Sequence, residues 1–547
     1  MNGSRVGTAS EERAVKRPAR KVRRSVLESK DSSQRVAARL LEFFSARTAW
    51  FRGLWEVGTV LSLRELLEAV EAVPLGVLSD KAVEWLANEL SRALGPDEGI
   101  APPSRSLLQR LLGSPLRPRS GELPALHRLT EETDAAYLSR WAGQLALGIP
   151  VKPERVARAV ASHLLDGGFS PDFLHRWLTY RLVHSSQTYR LSELLEEAHA
   201  LSRTPPSPFQ VLLPVHNALG LQGPPPREWC DAPTVSKWLL ANGFDATHVR
   251  QGGGWLLTVH ARDAFSAAER VAETVEKLAA RLLIGAGHPM RQGEHAYVEG
   301  IQHPLPLRRH RRVEVRSLER QDQLFASGPP SRVDAAFELL GQLDAPAVVA
   351  VAAGWAAIEA LLVAPEDGQK APAGDRLASL VACSFPRAEL TLLASLQDRT
   401  SASPLHEPLR KARSNHERVS LMLEAIRQAQ PLPWEGPAWS HQAAVARMEG
   451  LLKDPRKKLK DVEGYAVRAF RRLYRQRNLV LHGGQTNAVA LRASLRTAAP
   501  LIGAGIDRIA HAWFRHGVQP LELAVKARHR LELLESKEPL AMLDLLE

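Results

Sequence analysis

The sequence predicts a mainly α protein with a small α/β unit at its centre, on three observations. Apolar residues recur at helical spacing through most of residues 31–203 and again from Ser331 onward. Short apolar runs of strand length are confined to residues 207–325. Proline-rich breaks, Thr204-Pro205-Pro206-Ser207-Pro208 and Gly328-Pro329-Pro330, separate these stretches. At about 150 residues per domain, 547 residues are too many for one unit. The expected organisation is a disordered basic arm over 1–30, a helical domain over 31–203 and a small α/β domain over 207–325. A helical bundle over 331–516 and a helical tail over 517–547 follow.

The elements can be justified in order. Val36, Leu40, Leu41 and Phe44 share one helical face. Ser62-Leu63-Arg64-Glu65 reads as a capping box opening a helix over 66–73, and Ser79-Asp80 as the cap of a helix over 82–94. Further helices are expected over 134–147, 153–165, 171–183 and 192–201, with breaks at Pro102-Pro103 and between Pro115 and Pro124. Strands are expected over 209–215 and 255–261, the second entered through a turn at Gly252-Gly253-Gly254. Those glycines precede a strand and do not open a helix, so they lack the setting of a phosphate loop. Ser266-Ala267-Ala268-Glu269 is expected to cap a helix faced by Val271, Val275, Leu278 and Leu282. His288, His295, His303 and His310 recur every seven or eight residues, a spacing no metal site demands, and read as loop histidines. Beyond Ser331, helices are expected over 333–363, 374–383, 387–395, 416–428, 441–453, 462–481 and 489–515. The tail carries Leu531, Leu534, Leu540, Leu543 and Leu546, suited to packing or to a partner helix.

Composition excludes several classes. Charged residues at 24% and the hydrophobic set at 44% are ordinary globular usage, so wholesale disorder is excluded. Two cysteines, Cys230 and Cys383, exclude a disulfide scaffold and a Cys-rich zinc site, and suit a reducing, cytoplasmic setting. No metal or other cofactor is expected. Residues 345–364 are nearly uncharged, but they are Ala-rich and contain Glu359, which reads as a buried helix and not a membrane span. The 72 Lys and Arg against 60 Asp and Glu leave +12, which points to an acidic partner. That excess is localised: residues 1–24 carry +6 and residues 453–477 carry +7. A third basic cluster is Arg308, Arg309, Arg311 and Arg312. The arm lacks the apolar core of a secretory signal.

Most of the interpretable chemistry lies in Tyr474-Arg475-Gln476-Arg477-Asn478-Leu479-Val480-Leu481-His482-Gly483-Gly484. This reads as the end of a long helix, with Gly483 as its left-handed cap. Asn478 and His482 share a face, while cations in a last turn also suit the helix dipole. Arg477 and His482, five apart, stand about 140° around an ideal helix, so they meet within one chain only if the helix end loosens or Arg477 reaches round. Glu359, in so apolar a helix, is expected either to pair with Arg477 or Arg475, or to face water at the helix edge. There is no Gly-x-Ser-x-Gly elbow, Walker loop, His-Glu-x-x-His or Cys-x-x-Cys.

Arg477-Asn478-Leu479-Val480-Leu481-His482, closing a helix before Gly483, resembles the Arg-Asn-x-x-x-His signature of HEPN domains, a superfamily of helical ribonucleases in defence and toxin systems. The run from Gly354 through Glu359 to Leu362 resembles the early core helix of such domains, and that from Gly374 to Ala382 the following helix. The resemblance covers about residues 331–516; the first 330 lie outside it. It implies a HEPN-like bundle that cleaves RNA without metal, using the ribose 2′-OH as nucleophile. His482 would move protons, Arg477 would stabilise charge developing on phosphate, and Asn478 would hold a phosphate oxygen or orient His482. Glu359 and Arg475 would support the site, and Arg471, Arg472, Lys457 and Lys458 would bind RNA. It further implies a homodimer with two motifs facing one cleft, and a role in anti-phage abortive infection or a toxin–antitoxin-like system with an antitoxin or sensor partner. No membrane association is expected. Two other readings stand beside it: a non-catalytic module that binds RNA or protein, and a target or partner of a separate nucleotidyltransferase.

Overall fold

The computed structural model describes residues 30–546 apart from 96, 185–189, 218–223, 308–310, 312, 327–330, 435–437 and 535–538. The basic arm up to residue 29, three arginines of the second cluster (Arg308, Arg309, Arg312), His310 and the Gly328-Pro329-Pro330 boundary therefore lie outside the described residues. The chain is mainly α with a small antiparallel sheet. Helices α1 (Lys30–Phe44), α2 (Thr59–Ala72), α3 (Asp80–Leu94), α4 (Pro102–Leu112), α5 (Glu122–Ala146), α6 (Pro153–Asp166), α7 (Pro171–His184) and α8 (Leu191–Arg203) come first. The middle unit follows: β1 (Ser207–Val215), β2 (Trp229–Cys230), α9 (Ala232–Ala241), β3 (Gly253–Ala261), α10 (Ala264–Ala286), β4 (His295–Val298) and β5 (Leu305–Pro306). Then come α11 (Arg316–Arg320), α12 (Arg332–Leu340), α13 (Ala347–Leu362), α14 (Pro372–Arg399), α15 (His406–Lys411), α16 (Asn415–Arg427) and α17 (Ala438–Lys453). The last are α18 (Pro455–Leu481), α19 (Leu491–His516) and α20 (Pro520–Leu533).

The expected boundaries do not separate cores. One hydrophobic core contains Leu63, Leu66, Leu86 and Leu126 from the first third together with Trp355, Leu377, Phe470 and Ile506. The tail belongs to it as well, through Leu523, Ala527, Leu534 and Met542. A second core gathers Val36, Leu40, Phe44, Trp141, Val160, Leu164 and Leu195. Helix α5 spans both: Leu123, Leu126 and Leu129 enter the first core, Tyr137, Leu138 and Trp141 the second. It starts twelve residues before the expected 134 because Pro124 is its third residue, where a missing N–H leaves no intrahelical bond unmade.

The sheet order is β2-β3-β1-β4-β5. β1 and β3 pair antiparallel over nine residues, from Ser207 opposite Ala261 to Val215 opposite Gly253. Val211, Leu213 and Val215 face α10, while Leu212 faces α9 through Val235 and Leu239. Both faces are covered, which is why β1 reads as a continuous apolar run without alternation. The expected glycine turn is instead the start of β3: Gly253 has φ 150°, and a Cβ there would lie 2.2 Å from the Trp229 ring.

Other local expectations shift for physical reasons. Glu65 lies inside α2, so Ser62 to Glu65 is no capping box. Ser79 does cap α3, accepting from the Ala82 N–H at 3.3 Å. Asp263 caps α10 by accepting from the Ser266 N–H at 2.9 Å, so Ser266 is the third helical residue. The helix expected over 333–363 is broken by a short 3₁₀ turn, Gly341–Asp344, and by Pro346 before α13. Helix α14 runs unbroken through Pro386 where two helices were expected. Its apolar face, from Leu377 to Leu393, is buried at the centre of the main core and outweighs the ~3 kcal/mol a mid-helix proline costs. Among the described residues α14 is the helix long and apolar enough to cross a membrane, and most of its surface is buried in the bundle.

Candidate nucleic-acid site

Helix α18 carries the candidate residues. Asp454 caps it by accepting from the Lys457 N–H at 3.1 Å, and Pro455 occupies the first turn. Leu459, Val462, Ala466, Ala469, Phe470 and Leu473 form its buried stripe. At the far end the His482 N–H donates to the Asn478 carbonyl at 2.9 Å, and Gly484, with φ 64°, turns the chain away. The left-handed residue is therefore Gly484 and not Gly483, one position later than the sequence suggests. Gly483 has another constraint, since a Cβ there would stand 2.7 Å from the Leu479 carbonyl.

The three motif residues meet within one chain. Arg477 reaches round the helix end: its Nη1 donates to the Asn478 Oδ1 at 3.1 Å and lies 2.8 Å from the His482 Nε2. A guanidinium has no lone pair to offer, so this contact uses an unprotonated Nε2, with the ring hydrogen on Nδ1. His482 is exposed, and Arg477 and Asn478 are half-buried. The cluster is thus open to a solvent-borne ligand and combines a fixed positive fork, a neutral ring nitrogen and an amide.

Glu359 takes neither expected place. It accepts from the Trp355 Nε1–H at 2.5 Å and pairs with Lys370 at 2.9 Å, away from Arg477 and Arg475. Trp355 in turn packs on Tyr474, ring centroids 4.7 Å apart, one turn before Arg477. Glu359 therefore touches the motif only through an aromatic pair.

Two basic residues assigned to the site are interior. Arg472 and Arg475 both clamp Glu65 of α2: Arg472 Nε donates to Oε2 at 2.9 Å, and Arg475 Nη2 to Oε1 at 2.7 Å. All three side chains are buried, so Arg472 cannot contact RNA on the surface and Arg475 serves packing between α2 and α18. Burial alone would raise the Glu65 pKa, but the Arg475 and Arg472 guanidiniums override it and hold the carboxyl below its usual range. Arg471 pairs with Asp375 at 2.9 Å and is half-buried. Lys457 and Lys458 are exposed beside Arg456 and Lys460, in the first turns of α18. At 1.5 Å per residue they lie about 30 Å from Arg477, so they and the motif are two separate features of one helix.

Sequence reading expected a helix at α2 but missed its contacts with the end of α18. Beyond Glu65, the Glu68 Oε1 accepts from the Val489 N–H at 2.9 Å, and Val77, just past α2, stands against Gly483. The signal was available: Arg472 and Arg475, three apart on a helix whose neighbours are apolar, require a buried carboxylate. Elsewhere, Arg311 donates to the Ala345 carbonyl at 3.0 Å, and His303 contacts Arg176 at 2.9 Å. Among the described residues no group of three or more His, Cys, Asp or Glu is placed to hold a metal ion. Comparison with family models, curated proteins and solved structures returned no match.

Proposed function

We propose that the chain is a HEPN-type endoribonuclease that cleaves RNA without a metal ion, with Arg477, Asn478 and His482 as its reacting groups. The observation that carries this reading is the convergence of those three side chains, with Arg477 Nη1 2.8 Å from His482 Nε2 at an exposed helix end. The unprotonated Nε2 suits removal of the 2′-OH proton, and the adjacent guanidinium suits the charge that then develops on the phosphate. A phosphate entering the site would draw the Arg477 fork away from His482 and free the ring nitrogen for the hydroxyl. A second copy facing the motif would bring a second Arg477 to the same phosphate. A role in anti-phage defence, toxin–antitoxin-like control and a cytoplasmic setting belong to the same proposal and rest on the resemblance alone.

The test is cleavage of a mixed RNA substrate in EDTA by the full chain, with His482→Ala and Arg477→Ala alongside. Each substitution is expected to lower the rate by about 10²-fold or more, with folding intact by circular dichroism. Equal cleavage by all three proteins removes the site assignment. A non-catalytic RNA-binding module is the second reading, favoured by the exposed Arg456, Lys457, Lys458 and Lys460, remote from the motif. Salt-sensitive RNA binding with no cleavage, lost when these lysines are neutralised, selects it.

A further inference from the structure

A cavity of about 150 Å³ lies where the first helices meet the middle unit, lined by Arg64, Asp134, His163, Asp166, Arg203 and Arg262 among others. Both oxygens of Asp166 and one of Asp134 are already engaged. Asp166 accepts from the Gly58 N–H at 2.6 Å and from Arg496 of α19 at 2.7 Å, and Asp134 accepts from Arg64 at 3.0 Å. Among the described residues no carboxylate pairs with the remaining cations, Arg262 and Arg203. Arg262 donates only to main-chain carbonyls, those of Gly167 at 3.2 Å and of Thr204, while Arg203 is exposed at the rim. His163 is 8% exposed, and among the described residues its ring makes no hydrogen bond; its nearest carboxylate oxygen, on Asp134, is 3.8 Å away. Its ring is held flat by stacking on Tyr137, centroids 5.0 Å apart. Burial lowers its pKa, so near neutral pH it presents an uncharged ring with a donor and an acceptor nitrogen.

We propose that this cavity binds a small phosphate monoester, Arg262 and Arg203 taking the phosphate while His163 and Asp134 take ligand hydroxyls. Guanidinium forks match phosphate geometry, and main-chain carbonyls can be surrendered to water when a dianion arrives. The volume limits the ligand's size: at about half the ~300 Å³ at which drug-sized pockets begin, it excludes a dinucleotide and suits a small phosphate monoester with its phosphate at the exposed Arg203 rim. The cavity opens at the start of α2, whose later residues Glu65 and Glu68 contact α18 and Val489.

Binding to the full chain can be read directly, without any assay of RNA cleavage. Ribose 5-phosphate, inorganic phosphate and ribose are titrated by calorimetry and thermal unfolding. Ribose 5-phosphate is expected to give a saturable heat and a melting temperature that rises with concentration, ribose neither, and phosphate a weaker version. Arg262→Gln and Arg203→Ala should each weaken ribose 5-phosphate about tenfold or more. His163→Gln should weaken ribose 5-phosphate but not inorganic phosphate. Arg203 is exposed, so its variant tests the site even if Arg262→Gln fails to fold. Unsaturable binding, or equal binding by wild type and Arg203→Ala, overturns the proposal.

Discussion

Glu65 shows how much one side chain can decide. It is 1% exposed and pairs with two guanidiniums that α18 has buried. Removing one partner of a buried ionic cluster leaves uncompensated charge, so Glu65→Ala is expected to cost about 3–5 kcal/mol, measured by urea unfolding. The pH dependence has a definite sign. The folded carboxyl titrates below its unfolded value of about 4.3, so its contribution is complete above that pH and is lost as pH falls through the folded pKa. Acid unfolding of wild type should therefore include a component that Glu65→Gln lacks, while above about pH 6 the two stability curves should run parallel. A second carboxylate is likewise shared by two guanidiniums: Arg52 bonds Glu389 at 2.7 Å, and Arg447 bonds it at 3.1 Å. The sequence reveals charges on apolar helices but not their partners, because Glu65 and Arg475 lie 410 residues apart.

At the scale of elements, most helices were legible and their ends less so, but α4, α9 and α15 were not expected, and Pro102-Pro103 opens α4 where a break was expected. Period and caps mark α3, α6 and α16 to within a few residues, because their signals are local. Other discrepancies fall where burial overrides a local breaker, as at Pro386 in α14, or where a break is hidden in an apolar run, as at Gly341. The end of α18 is a finer case. Two adjacent glycines are equivalent on paper, and the positive φ falls on Gly484. Gly484→Ala is expected to cost about 1–2 kcal/mol, read as a lower melting temperature, because an L side chain is strained there. The motif itself was legible as residues, but its closure was not: the reach of Arg477 to His482 depends on a long side chain crossing the helix end.

At the scale of the molecule, the N-terminal and C-terminal helices share one hydrophobic core. Leu63, Leu66 and Leu86 share a core with Trp355 and Phe470, and Glu65 pairs with Arg472 and Arg475 of α18. A fragment of residues 331–547 is therefore expected to lack fixed packing when expressed alone, with dye-accessible apolar surface and little near-ultraviolet dichroism. Co-expression with residues 30–203 should restore both signals, whereas a soluble, cooperatively unfolding fragment would contradict a shared core. Fold class was decided by the sequence itself, since helical period and the confinement of strand-length runs to one stretch are properties of neighbouring residues. The Arg477, Asn478 and His482 candidates came from it as well. Which helices share a core, which basic residues are interior and where a small ligand could sit were decided only in three dimensions. The physical reason is that burial and charge pairing join residues hundreds of positions apart, and a local pattern shows that a face will be buried without showing against what.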